Sequence, residues 1–239
     1  MWTPGALASE HRSYRARVWR VVEAQHRIST GRLVSDPVAQ ALLEDLADEV
    51  KPALPASAAH LDYLLASPFR YGHRQDSRFR RADERPGIFY ASEAEATAIA
   101  ETAYWRLRFF SRSPGFVPPS TTSEHSSFSV LVASQAALDL TEPPFESNEA
   151  DWIDPADYTA CQDLAVAARE AATGLIRTLS ARDPERGCNV VVLDPAALAE
   201  RRPKPGRTWH LRFENDRLVA LAAFPARDRY EFTAARFGL

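Results

Sequence analysis

Between Phe69 and Pro86 the chain reads FRYGHRQDSRFRRADERP, with six arginines, two aspartates and one glutamate. A polar connection of this length inside a compact domain is often functional. Guanidinium forks interleaved with Phe69, Tyr71 and Phe79 suit an anion-binding wall; a solvated arginine-rich loop satisfies the same composition. Glu101 is a second candidate. The spacing predicts a helix from Ser92 to about Phe110, opened by a Ser92–Glu95 capping box, with Ala94, Ala98, Trp105 and Phe109 on one face. Glu101 lies at helical spacing from Ala98 and Trp105, so it sits on or beside that apolar stripe. A carboxylate there needs a partner or a cleft; a boundary glutamate paired with one of the many arginines meets the same need.

Other chemistries find little support. No G-x-G-x-x-G follows a strand, and G-x-x-x-x-G-K-[ST], H-E-x-x-H and G-x-S-x-G are absent. His11, His26, His60, His73, His125 and His210 are scattered; His26, followed by Arg27, stands out only because it comes soon after the first predicted strand. Cys161 and Cys188 form no C-x-x-C and no Cys/His cluster, which points to reduced thiols rather than a zinc site. The formal net charge of −3 gives no electrostatic footprint for bulk nucleic acid or anionic membrane. No apolar run approaches the roughly 20 residues of a membrane span, and the Met-Trp-Thr-Pro-Gly start has no signal-peptide pattern, so a cytoplasmic location is expected. Lysine occurs only at Lys51 and Lys204, so an anion site would be built from arginine.

The elements that must position these residues follow from periodicity. A first strand is expected over Arg15–Glu23. Asp36-Pro37 starts a helix with Val38, Ala41, Leu42, Leu46 and Val50 on one face, ending at Lys51-Pro52. A second helix is expected over Ser57–Ala66, stopped by Ser67-Pro68. Strands are predicted at Gly87–Ala91, Ser127–Ser134, Leu138–Thr141, Leu175–Leu179, Asn189–Leu193, Thr208–Phe213, Leu218–Phe224 and Arg229–Thr233. Asp154-Pro155 opens a further helix that stops at Gly174. Strands and helices mixed without regular alternation indicate an α+β fold, and no linker is clear enough to divide residues 1–239.

Four segments together resemble the RES-domain family, the toxin halves of bacterial Xre–RES toxin–antitoxin pairs. They are W-R-V-V at Trp19–Val22, S-R-F at Ser77–Phe79, P-G-I-F-Y-A-S-E-A-E-A-T-A-I-A-E at Pro86–Glu101, and G-L-I-R-T-L-S-A-R-D-P-E-R-G-C-N-V-V-V-L-D-P at Gly174–Pro195. The resemblance spans roughly 17–228, and the third segment is the most specific. W-R-V-V-E-A-Q-H-R-I-S-T and S-P-F-R-Y look like the ParT subgroup. Two departures are the extra charges of the Phe69–Pro86 loop, which leave Arg78 and Arg80 as rival phosphate ligands with Arg78 preferred, and a helical insert near residues 36–66.

The resemblance implies one domain similar to the ADP-ribosyltransferase toxin core: a split, mostly antiparallel sheet around an NAD cleft. It implies NAD as substrate, with Glu101, Tyr90 and Ser180 catalytic and Arg20, Arg78, Tyr90, Glu101, Ser180 and Asn189 binding NAD. Glu101 would stabilise the oxocarbenium-like ribose as nicotinamide leaves. Arg20 and Arg78 would hold the pyrophosphate. No metal is required, because the leaving group is already a pyridinium. A ParT-like member would transfer ADP-ribose to a protein acceptor, phosphoribosyl pyrophosphate synthetase; NAD glycohydrolysis or phosphorolysis is the alternative within the family. An Xre-type antitoxin would block the cleft. From another class, an RNA-directed toxin or a non-enzymatic interaction protein would rest on the arginine loop alone.

Overall fold

The computed structural model describes residues 2–24, 51–112 and 121–239, with isolated positions at 36, 38, 39, 42, 46, 115 and 117. In chain order these form α1 (Pro4–Ser9), β1 (Arg12–Glu23), α2 (Tyr63–Arg70), β2 (Phe89–Ser92), α3 (Glu95–Ser111), β3 (Ser123–Asp139), α4 (Glu149–Trp152), α5 (Thr159–Glu170), β4 (Leu175–Leu179), β5 (Cys188–Val192), β6 (Lys204–Glu214), β7 (Arg217–Ala222) and β8 (Arg229–Thr233), with short 3-10 turns between. The fold is α+β.

The sheet turns on β3. One edge pairs antiparallel with β1 along nearly its whole length. The other edge is divided: Ser123–Ser129 pair with β6, and Ala137–Asp139 run parallel with β4. From β4 the sheet passes antiparallel through β5 to β2, and β2 returns to β1 through Trp19 opposite Ser92. Thus β1, β3, β4, β5 and β2 close a ring, and β6, β7 and β8 extend away from it. Closure at this one pair sets β1 and β2, which both carry site residues, side by side.

Strand alternation sorts side chains between three cores. Phe89, Ala91, Val190 and Val192 face a core with Phe69 and Leu65 of α2. Val191 points the other way, toward Ile176 and the α5 residues Leu164, Ala165 and Ala168, with Tyr90 packed beside them. A third core packs Ile99, Ala100, Ala103, Tyr104 and Leu107 of α3 against Trp209, Leu211, Leu218 and Phe232. A half-buried polar network ties the ring together. Arg177 of β4 pairs with Glu93 and Asp139, and Tyr14 of β1 donates to the same Glu93 at 2.7 Å.

Several elements differ from their sequence expectations. α3 begins at Glu95 with Ala94 as its cap; Ser92 is still strand, and Glu95 binds Arg207 and Trp209 rather than closing a capping box. The buried face of α3 excludes Trp105 and Phe109, which are exposed. α2 runs through Pro68, with Asp62 capping it through the Leu64 amide. The two strands predicted between Ser127 and Thr141 are one continuous β3. Asp154 accepts the amides of Ala156 and Asp157 in a turn, and the helix starts later, at Thr159. That helix ends at Glu170, with Ala172, not Gly174, left-handed at φ 55°. Asp36 accepts the Val38 and Ala39 amides as a cap would, but Val38, Leu42 and Leu46 are exposed. The rest of that helix, and His26 and Arg27, lie outside the described residues.

His125 of β3 is buried opposite Glu23 of β1 and Trp209 of β6. Burial lowers its pKa, the Ser123 carbonyl and Glu23 oppose the shift, and Arg106 adds to it. The folded protein therefore takes this proton less readily than the unfolded chain, whose histidine titrates near 6.5. Stability present above that pH is lost as pH falls through the lower folded value. Urea unfolding should show stability falling as the pH drops below about 6.5, and His125→Gln should flatten that fall.

Candidate functional site

Sheet alternation and one helix face converge on a cavity of about 600 Å³, within the size range of small-molecule sites. Tyr90 and Ser92 of β2 lie opposite Val191 and Asn189 of β5, on one side of the sheet. Ala98, Glu101, Thr102 and Trp105 form the stripe of α3 that lines the cavity, as spacing of three and four residues requires. β1 contributes Trp19 and Arg20; the 71–88 connection contributes His73, Ser77, Arg78 and Arg80.

Glu101 is the best-held group. Its Oε1 accepts from Ser180 Oγ at 2.6 Å and from Asn189 Nδ2 at 2.5 Å. Its Oε2 accepts no hydrogen bond among the described residues, so that oxygen is available to a ligand. Ser180 is fixed in turn. Its Oγ accepts the backbone amides of Arg182 and Asp183, both at 3.0 Å, which fills its acceptor positions and leaves its proton for Glu101. The expectation that Glu101 needs a partner or a cleft is met by both.

The turn after β4 is braced against α3. Thr97 Oγ1 donates to Asp183 Oδ2 at 2.7 Å, and Gly187 O accepts the Ser180 amide at 2.8 Å. A Cβ on Gly187 would lie 2.1 Å from Thr97 Oγ1 and 2.6 Å from Asp183 Oδ2. Gly187→Ala should therefore force the turn away from α3 and cost about 1–3 kcal/mol, measurable by urea unfolding.

The arginines divide by what they already bind. Arg80 is buried and donates to the carbonyls of His73, Gln75 and Arg81; it organises its own loop. Arg78 donates through Nη1 to the Trp152 and Leu179 carbonyls at 3.2 and 2.8 Å, with no bond from Nη2 or Nε among the described residues. Arg20 lies over the Phe89 ring at 5.0 Å and donates to the Tyr90 carbonyl at 3.3 Å. Neither Arg20 nor Arg78 has a carboxylate partner among the described residues. Burial lowers the Arg20 pKa to about 10, which leaves it cationic at neutral pH. Tyr90 is fixed at its hydroxyl, 2.9 Å from Ser77 Oγ and accepting the Phe79 amide at 3.1 Å. Burial raises its pKa against the lowering effect of those bonds and of Arg78 and Arg80, so it stays a phenol.

The structure thus brings all six sequence-named residues together: Arg20, Arg78, Tyr90 and Asn189 line the same cavity as Glu101, with Ser180 directly behind the carboxylate. Sequence reasoning missed Arg182. Its guanidinium lies 3.6 Å from the centre of the Tyr104 ring and donates to Tyr158 and the Pro155 carbonyl. It also missed Ser92, although period-two alternation from Tyr90 places that residue on the cavity side.

The RES domain family model matches residues 54–214. The chain belongs to the RES domain family. That match contains Arg78, Tyr90, Glu101, Ser180 and Asn189; β1, which carries Arg20, lies before it. Among solved structures, this RES domain is similar to a chain in the crystal structure of the M. tuberculosis MbcT–MbcA toxin–antitoxin complex. The identity is 14%, the TM-score 0.49, and the coverage 86% of this chain and 92% of that chain. The curated proteins offer no match. No helix among the described residues is long and apolar enough to cross a membrane.

Proposed function

We propose that this RES domain is the toxin of a toxin–antitoxin pair, that its cavity takes NAD, and that it cleaves the bond between nicotinamide and ribose. One observation carries the reading: a carboxylate anchored through one oxygen and open at the other shares a cavity with two guanidiniums that, among the described residues, have no carboxylate partner. In this reading Arg20 and Arg78 receive the pyrophosphate, and Tyr90, with its hydroxyl fixed, presents its ring to nicotinamide. Glu101 Oε2 accepts the ribose 2′-hydroxyl and faces the charge that builds as the bond breaks. The bonding pair leaves with nicotinamide, which becomes neutral, and an acceptor attacks the ribose carbon. The catalytic unit is residues 1–239 with its core at roughly 17–228, similar to the ADP-ribosyltransferase toxin core, acting in the cytoplasm.

The ParT-like stretches favour a protein acceptor, phosphoribosyl pyrophosphate synthetase by that resemblance. Mass spectrometry of the protein incubated with NAD, phosphate and a cell lysate tests this. Transfer predicts one ADP-ribose added to a single lysate protein. Free ADP-ribose or its phosphate ester without any adduct would overturn transfer in favour of hydrolysis or phosphorolysis. The partner is an Xre-type antitoxin that places an acidic segment against Arg20 and Arg78. A complex whose contacts avoid both arginines and Glu101 would refute that mode of inhibition.

A further inference from the structure

We propose that Ser92 is a positioning residue for Glu101 and acts through Asn189. The proposal rests on the reading that Glu101 works directly on the substrate.

Asn189 has a donor end and an acceptor end of nearly the same shape, and what lies behind it decides how firmly each is held. Ser92 Oγ donates to Asn189 Oδ1 at 2.7 Å, and both residues are buried. Asn189 Nδ2 then donates to Glu101 Oε1 at 2.5 Å. The dipoles run in one direction, from hydroxyl to amide to carboxylate, so each bond polarises the next. Turning the amide over would set Oδ1 against the carboxylate. Removing the Ser92 hydroxyl leaves Oδ1 buried without its partner and frees the amide plane to rotate.

The backbone shows why this serine can hold the amide. Ser92 is the residue at which the ring closes: it pairs with Trp19 of β1 on one side and with Asn189 of β5 on the other. It also lies just before α3, the helix that carries Glu101. The chain of bonds leaves the β2–α3 unit at Ser92, crosses β5 at Asn189, and returns to the same unit at Glu101. This loop fixes the roll of α3 relative to the strands. It also accounts for Ser92 remaining in the strand although its sequence suits a helix cap.

A double-mutant cycle on nicotinamide release tests the proposal. Ser92→Ala should lower kcat about tenfold with KM for NAD changed by less than about twofold. In the Asn189→Ala background the same substitution should have no further effect, because its route to Glu101 is already cut. Ser92→Cys, which keeps the shape with a slightly larger atom and a weaker donor, carries the same cycle if Ser92→Ala does not fold. Equal losses in both backgrounds, or no loss of kcat, would overturn the proposal. Glu101→Gln separates the two levels: if it kept wild-type nicotinamide release, the reading of the site would fail. If it abolished release while Ser92 and Asn189 proved additive, only this inference would fail.

Discussion

Glu101→Gln should reduce nicotinamide release from NAD by about a hundred- to a thousandfold in kcat, the scale of losing one preorganised electrostatic group at a reacting centre. The substitution keeps the shape of the side chain. Ser180 Oγ and Asn189 Nδ2 both donate to Oε1, so an amide oxygen placed there retains both bonds and the fold. Its amide nitrogen then occupies the position of Oε2 and carries no negative charge. Binding should change far less than turnover, because in this reading the pyrophosphate is held elsewhere. A loss confined to KM would place Glu101 in binding alone.

Arg20→Ala should do the opposite. Arg20 is cationic at neutral pH and has no carboxylate among the described residues to satisfy it. A hydrogen bond from a charged donor to phosphate is worth about 1.5–3 kcal/mol, so KM for NAD should rise roughly 10- to 100-fold while kcat changes little. Arg20→Lys should recover only part of this, since a point charge replaces a bidentate fork. Its stacking on Phe89 at 5.0 Å fixes the fork over the strand, an arrangement lysine does not reproduce. Initial rates across an NAD series separate the two variants. If Arg80→Ala raised KM in the same way without destabilising the protein, the division between the arginines would be wrong, because Arg80 spends its guanidinium on three carbonyls of its own loop.

The residues of the site were legible before their arrangement was. Glu101 announced itself as a carboxylate beside an apolar stripe, and four separate segments named its companions. Strand alternation reads Tyr90 and Ser92 onto one face, but a capping-box pattern competed for Ser92 and was the wrong choice. The bond to Asn189 and pairing on both sides hold that residue extended, a tertiary effect invisible to local spacing. The same competition misplaced Trp105 and Phe109. Their apolar character predicts burial, yet α3 buries the face bearing Ala100, Ala103, Tyr104 and Leu107 and turns Trp105 to the cavity. Closure of the ring through a single β1–β2 pairing, and the division of the β3 edge between β4 and β6, depend on contacts distant in sequence and leave no periodic signal. Arg182 belongs to the same class: its stacking on Tyr104 requires the turn after β4 to be already in place.

In the proposed function the Glu101 cavity cleaves NAD at the nicotinamide–ribose bond. The most direct test of that cleavage is chromatography of NAD incubated with the purified protein, freed of any antitoxin, beside its Glu101→Gln variant. Nicotinamide should appear mole for mole with the NAD consumed, and almost none from the variant. Intact NAD in the presence of folded wild-type protein, or equal release by both proteins, would contradict it.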